Sequence, residues 1–153
     1  MAVAPSEQEL FDEHLFYECQ MLVHTQQALL AAAWFHPIGN ALMESFCFHA
    51  RNLIEFFDGG PNVNFSLFAK PSFKPWASGR VRDVLVRKLN THLAHLTPKR
   101  TSDPKRKIGE VERAELFAAL SVEIGHLRAH LKPQFSRARL DEAVTPLPGF
   151  PAP

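Results

Sequence analysis

Between Asn40 and Asp58 the chain reads Asn-Ala-Leu-Met-Glu-Ser-Phe-Cys-Phe-His-Ala-Arg-Asn-Leu-Ile-Glu-Phe-Phe-Asp, a pattern that demands a long, half-buried helix. At 100° per residue, Leu42, Met43, Phe46, Cys47, Ala50, Leu53, Ile54, Phe56 and Phe57 share about half of the circumference. Glu44, Arg51, Glu55 and Asp58 form a charged stripe opposite, where Arg51 and Glu55 sit at i, i+4 and read as a surface ion pair. One histidine, His49, falls on the apolar side, and Ser45 and Asn52 lie within about 60° of it. A buried imidazole needs hydrogen-bond partners, so this thin polar line marks a place where the helix must meet other polar groups.

A second helix pattern precedes this one. Pro5, then Ser6 with Glu9 three residues later, forms a capping box, and the helix is expected from about Ser6 to Ala33. Phe11, Leu15, Phe16, Cys19, Leu22, Val23, Leu29 and Leu30 gather on its apolar arc, while Glu7, His14, Glu18 and His24 are expected to point elsewhere. His36-Pro37-Ile38-Gly39-Asn40 reads as the turn between the two helices, which should pair antiparallel. After Asp58-Gly59-Gly60-Pro61 comes an aperiodic stretch to Gly79 that carries Phe65, Phe68, Phe73 and Trp76; so many aromatics in a long loop predict a cover packed onto the helices.

A third helix is expected from about Arg80 to Leu96, with Val81, Leu85, Leu89, His92 and Leu96 on one face, stopped by Thr97-Pro98. A fourth, from about Gly109 to Leu131, buries Leu116, Phe117, Leu120, Ile124, Leu127 and Leu131 and leaves Glu112, Glu123, His126 and His130 outside the arc. The proline-rich end reads as an extended tail. The expected fold is therefore all-α: an up-down four-helix bundle in one domain over residues 1–132, with a long aromatic loop between helices 2 and 3 and an extended tail over 133–153.

Composition narrows the functional classes. A net charge of +1 across 153 residues provides no global field for a polyanion, so any nucleic-acid contact must rest on a local patch. Thirteen phenylalanines supply core volume without hydroxyls to satisfy. Cys19 and Cys47 fall on apolar arcs, as small buried hydrophobes do, which points to a reducing, cytoplasmic setting. The longest apolar run, Ala28 to Phe35, is far too short to span a bilayer, so no membrane association is expected.

Three candidate chemistries follow from polar residues. Lys99, Arg100, Lys105, Arg106 and Lys107 could contact phosphates in the loop before helix 4, although the simpler reading is a solvated charge run. His126 and His130, at i, i+4, could reach one metal ion; they lie opposite the apolar arc of their helix and are read as surface histidines, so no metal site and no cofactor is expected. If helix 3 packs beside helix 2, His92 or His95 could meet the line of Ser45, His49 and Asn52, with Asn90 nearby. The simpler reading of that cluster is a core-orienting network; the alternative is a ligand or catalytic site.

Resemblances to known families add to these readings. His49 with the pair His126 and His130 resembles the metal-ligand plan of DinB-like four-helix proteins. Arg87-Lys-Leu-Asn-Thr-His92 is similar to the HEPN superfamily motif, arginine then four to six residues then histidine; an alternative register through Leu93-Ala94-His95 puts Asn90 at the arginine position. That resemblance implies an all-α fold, a homodimer, and Arg87 with His92 or His95 as residues acting on RNA. Glu44-Ser45-Phe46, His49-Ala50-Arg51-Asn52-Leu53-Ile54 and His95-Leu96-Thr97 with Arg100 resemble a set of uncharacterised bacterial α-helical proteins, which implies a cytoplasmic bundle without a defined activity. The leading expectation is a non-enzymatic, HEPN-like module acting by dimerisation or by binding a protein or RNA partner. An Arg/His ribonuclease and a metal-binding bundle are the alternatives.

Overall fold

The computed structural model of the chain describes residues 4–31, 36–77, 79–92 and 107–150, and these are all-helical, with no β-strand among the described residues. Helix α1 starts at Glu7–Glu9, passes through a π-helical segment, Leu10–Leu15, and continues as Phe16–Ala31. Helix α2 spans His36–Phe57, a short 3-10 turn spans Phe65–Leu67, and α3, α4 and α5 span Asp83–His92, Glu110–Ala129 and Arg137–Ala143.

The capping box forms as expected: Ser6 Oγ accepts from the Glu9 amide while Glu9 Oε2 accepts from the Ser6 amide. One turn later the helix widens, and the Phe16 N–H donates to Phe11 O, five residues back. Helix α2 begins earlier than expected. Pro37 and Gly39 lie inside it rather than in a turn, because a proline near the start of a helix gives up an amide that had no partner anyway. The chain leaves α2 through Gly59 at φ 76°, a left-handed conformation that glycine adopts without a Cβ penalty.

Helices α1 and α2 share the most extensive interface, and Leu22, Phe46, Leu53 and Phe57 are fully buried in the core. The loop after α2 packs down as its aromatics suggest: Phe68 and Phe73 are buried, and Ala69 bridges Leu131 in antiparallel fashion. Lys70 N–H donates to His130 O, and Lys132 N–H to Phe68 O, which ties the loop to the chain just beyond α4. Two ion pairs, Arg82 with Glu115 and Lys88 with Glu112, join α3 to α4.

The expected C-terminal tail is not extended over its first half. Ser136 Oγ caps α5 by accepting from the Arg139 amide, and Phe135, Leu140 and Ala143 enter the core. Phe135 lies 4.9 Å from Phe11 and 5.1 Å from Phe68 between ring centroids. The Arg139 guanidinium sits 3.5 Å above the Phe16 ring and donates to the Asp12 carbonyl inside the π segment. Residues assigned from sequence to a separate tail are therefore part of the packed unit, because one short amphipathic turn, Leu140 to Ala143, supplies an apolar face that the prolines after it obscured.

Candidate functional site

Glu18 is the residue around which polar groups converge. It follows Leu15 by three positions and precedes Leu22 by four, both buried, so its side chain emerges at the edge of the apolar stripe of α1 and faces α2. His49 Nδ1 lies 2.8 Å from Glu18 Oε2, and Asn52 Nδ2 donates to Glu18 Oε1 at 3.1 Å. Against an ionised carboxylate the imidazole can only donate, so this contact fixes the proton on Nδ1. The His49 side chain is 5% exposed and that of Glu18 is 23% exposed. The imidazole is thus the hidden support and the carboxylate the presented group. Tyr17 and Phe48 stand edge-on to the imidazole at centroid distances of 5.3 and 5.4 Å.

Glu18 opens onto a cavity of about 340 Å³ between the start of α1 and the end of α2. Its walls are apolar, from Leu10, Leu15, Leu53, Phe56 and Val63, and its polar groups are His14, Glu18, Asn52, Glu55 and Asn62. The π segment contributes Leu10, His14 and Leu15 to this wall, and such widened turns recur at functional sites because they shift the phase of the side chains before them. At the far end a Cβ on Gly60 would approach Glu55 Cγ to 2.9 Å, so the absence of a side chain there leaves room for Glu55 at the cavity lip. Arg51 and Glu55, expected as a surface ion pair, are not bonded to one another, and Glu55 serves the cavity instead.

His49 and Asn52 meet α1 at Glu18, a residue whose periodicity points it away. Ser45 is half-buried one turn earlier and Asn90 is exposed on α3; neither bonds to Glu18. A sequence signal for Glu18 did exist: an acid flanked at i−3, i+1 and i+4 by Leu15, Cys19 and Leu22 cannot stand far from the core.

Arg87 is exposed on α3. His92 is the last residue of that helix, and its side chain, together with His95, Lys99, Arg100, Lys105 and Arg106, lies outside the described residues, while Lys107 is exposed. His126 and His130 are half-buried. Phe73 of the aromatic loop lies 4.8 Å from the His126 ring and 5.8 Å from that of His130, so the loop covers the face that periodicity assigned to solvent. Glu123 on the same face is 1% exposed and accepts the Trp76 N–H at 2.9 Å. Trp76 holds φ at 62°, a strained value for a side-chain-bearing residue, and its indole N–H donates to Asp58. Among the described residues no group of three or more His, Cys, Asp or Glu side chains is arranged to hold a metal ion.

Two buried features complete the polar inventory. Arg113 is buried and donates to Gln26 across α4 and α1, and burial pushes its guanidinium below the ordinary arginine range. Burial pushes the Cys47 thiol up to about 12 and the Cys19 thiol higher still, so neither is a nucleophile in the folded protein. No helix of the described residues is long and apolar enough to cross a membrane.

No protein-family model, curated protein or solved structure matches the chain. The functional reading rests on the site itself.

Proposed function

We propose that the chain is a non-enzymatic helical module, an up-down bundle with a HEPN-like outline, that binds a small ligand or a partner's side chain in the groove between α1 and α2. The observation that carries this reading is the orientation of Glu18: two N–H donors brace it from the protein side while its carboxylate faces an apolar cavity. Convergent polar groups in an apolar concavity are the usual makings of a binding pocket, and about 340 Å³ lies at the small end of the ligand range of roughly 300–1,000 Å³. Among the described residues neither a hydroxyl nor a thiol lines the cavity, which favours binding over acyl or phosphoryl transfer.

Amide-resolved NMR of the full chain against a panel of small organic fragments tests the proposal. Shifts should concentrate at Leu10, His14, Glu18, Asn52 and Leu53. RNA cleavage that disappears in His92→Ala or His95→Ala would replace the proposal with the ribonuclease reading.

A further inference from the structure

We infer that the groove selects an organic ammonium ion, a protonated primary amine carried on a short apolar body. The inference rests on the groove-binding reading above and names its ligand class.

Charge decides first. Among the described residues Glu18, Glu55 and His14 are the titratable groups that line the cavity, and neither lysine nor arginine does. A bound carboxylate or phosphate would meet two like charges, one beside the apolar wall and one at the exposed lip, and a neutral ligand would strip water from the Glu18 carboxylate without replacing it. A cation offsets both costs.

Hydrogen-bond valence decides next. Glu18 Oε1 and Oε2 each use one acceptor site, on Asn52 and His49, and each oxygen has a further lone pair. Asn52 turns its N–H2 toward Glu18, which leaves its Oδ1 as an additional acceptor. Acceptors therefore cluster where a donor-rich head would sit, and a primary ammonium brings three N–H groups in a compact tetrahedral head. A quaternary ammonium has no N–H to give and would need an aromatic cage; among the described residues Phe56 is the one phenyl or indole wall.

Shape decides last. Leu10, Leu15, Leu53, Phe56 and Val63 form an apolar run beside that head, suited to a chain of a few methylenes. Lining and volume together describe a short alkylamine or an exposed lysine side chain of a partner, which share this chemistry.

Titration of the intact protein with hexylamine at pH 8, followed by NMR, tests the assignment, because at that pH alkylamines are protonated and an ordinary imidazole is not. Hexylammonium should bind with a Kd on the order of 1 mM, as befits a ligand of so few heavy atoms. Hexanol and hexyltrimethylammonium should bind at least about tenfold more weakly, and hexanoate should not bind. Glu18→Gln, which keeps shape and one acceptor, and Glu55→Gln at the exposed lip should each weaken hexylammonium several-fold, whereas Glu13→Gln, outside the cavity, should not. Nα-acetyl-lysine amide, whose one ammonium is on the side chain, binding as well as hexylammonium would point to a partner side chain, and its failure to a free alkylamine; a preference for hexanoate over hexylammonium would overturn the ammonium assignment. Equal binding of hexanol and hexylammonium would overturn it too while leaving the groove reading intact. Absence of groove shifts with every probe would overturn both.

Discussion

Replacing Phe135 with alanine removes an aromatic ring that is 5% exposed and wedged between Phe11 of α1 and Phe68 of the aromatic loop. Truncating a buried phenylalanine costs about 3–5 kcal/mol through lost transfer energy and the cavity left behind. The two ring contacts at 4.9 and 5.1 Å add to area burial, whereas the position near the C-terminal end lets α5 relax toward the gap, so the lower end, about 3 kcal/mol, is expected. For a chain of this size that corresponds to a fall in Tm of roughly 6–12 °C. Urea denaturation followed by circular dichroism measures it, with Phe150→Ala as control, since Phe150 is 40% exposed and its truncation should cost less than about 0.5 kcal/mol. There is a mechanistic ceiling: if α5 detaches locally at lower cost than global unfolding, the loss stops at the undocking free energy. A loss below about 1 kcal/mol for Phe135→Ala, with the slope of the transition unchanged, would refute the placement of α5 in the core.

Lys88 holds the Glu112 carboxyl below its ordinary value of 4.5, so the stabilisation is complete above that value and is lost as pH falls through the lowered one; the difference in urea midpoint between the wild-type chain and Lys88→Met should be largest above about pH 5.5 and shrink steadily in acid. Cys19 and Cys47 should resist a thiol reagent in the native protein at pH 8 and react fully in denaturant; rapid native labelling would place them at the surface. Glu123→Ala should cost about 1–3 kcal/mol in thermal or urea denaturation by orphaning the Trp76 amide, and that amide should lose its protection from hydrogen exchange.

Periodicity made the long helices legible because each buries one continuous stripe: Phe11, Leu15, Cys19 and Leu22 in α1, and Phe46, Ala50, Leu53 and Phe57 in α2, all prove buried. It misplaced the residues at the borders of those stripes, since a border residue is exposed or buried according to what packs beside it. Glu18 was turned inward by α2, and Glu123, His126 and His130 were covered by an aromatic loop whose path carries no periodic signal. The π segment at Leu10–Leu15 was invisible for a related reason: its sequence satisfies an ordinary helix equally well, and a partner of its backbone, Arg139 on the Asp12 carbonyl, comes from far along the chain. Helix α5 was foreshadowed by Ser136 as a cap before Arg-Ala-Arg-Leu-Asp-Glu-Ala, a signal too short to stand against the prolines that follow.

The stitching of the aromatic loop to the segment beyond α4 also sets a schedule for biogenesis. Phe68, Ala69 and Lys70 find their backbone partners in His130, Leu131 and Lys132, some sixty residues downstream, and Phe68 finds one of its three ring partners, Phe135, there too. On the ribosome, α1 and α2 can pair and seat Phe68 and Phe73 against Phe11, Phe56 and Phe57 as soon as the loop has emerged, but the backbone edge of the loop has no partner until His130 to Lys132 have been made. For that interval the Lys70 amide and the Phe68 carbonyl lack their partners, which makes this loop, rather than the long helices, the segment whose final path waits on residues far downstream.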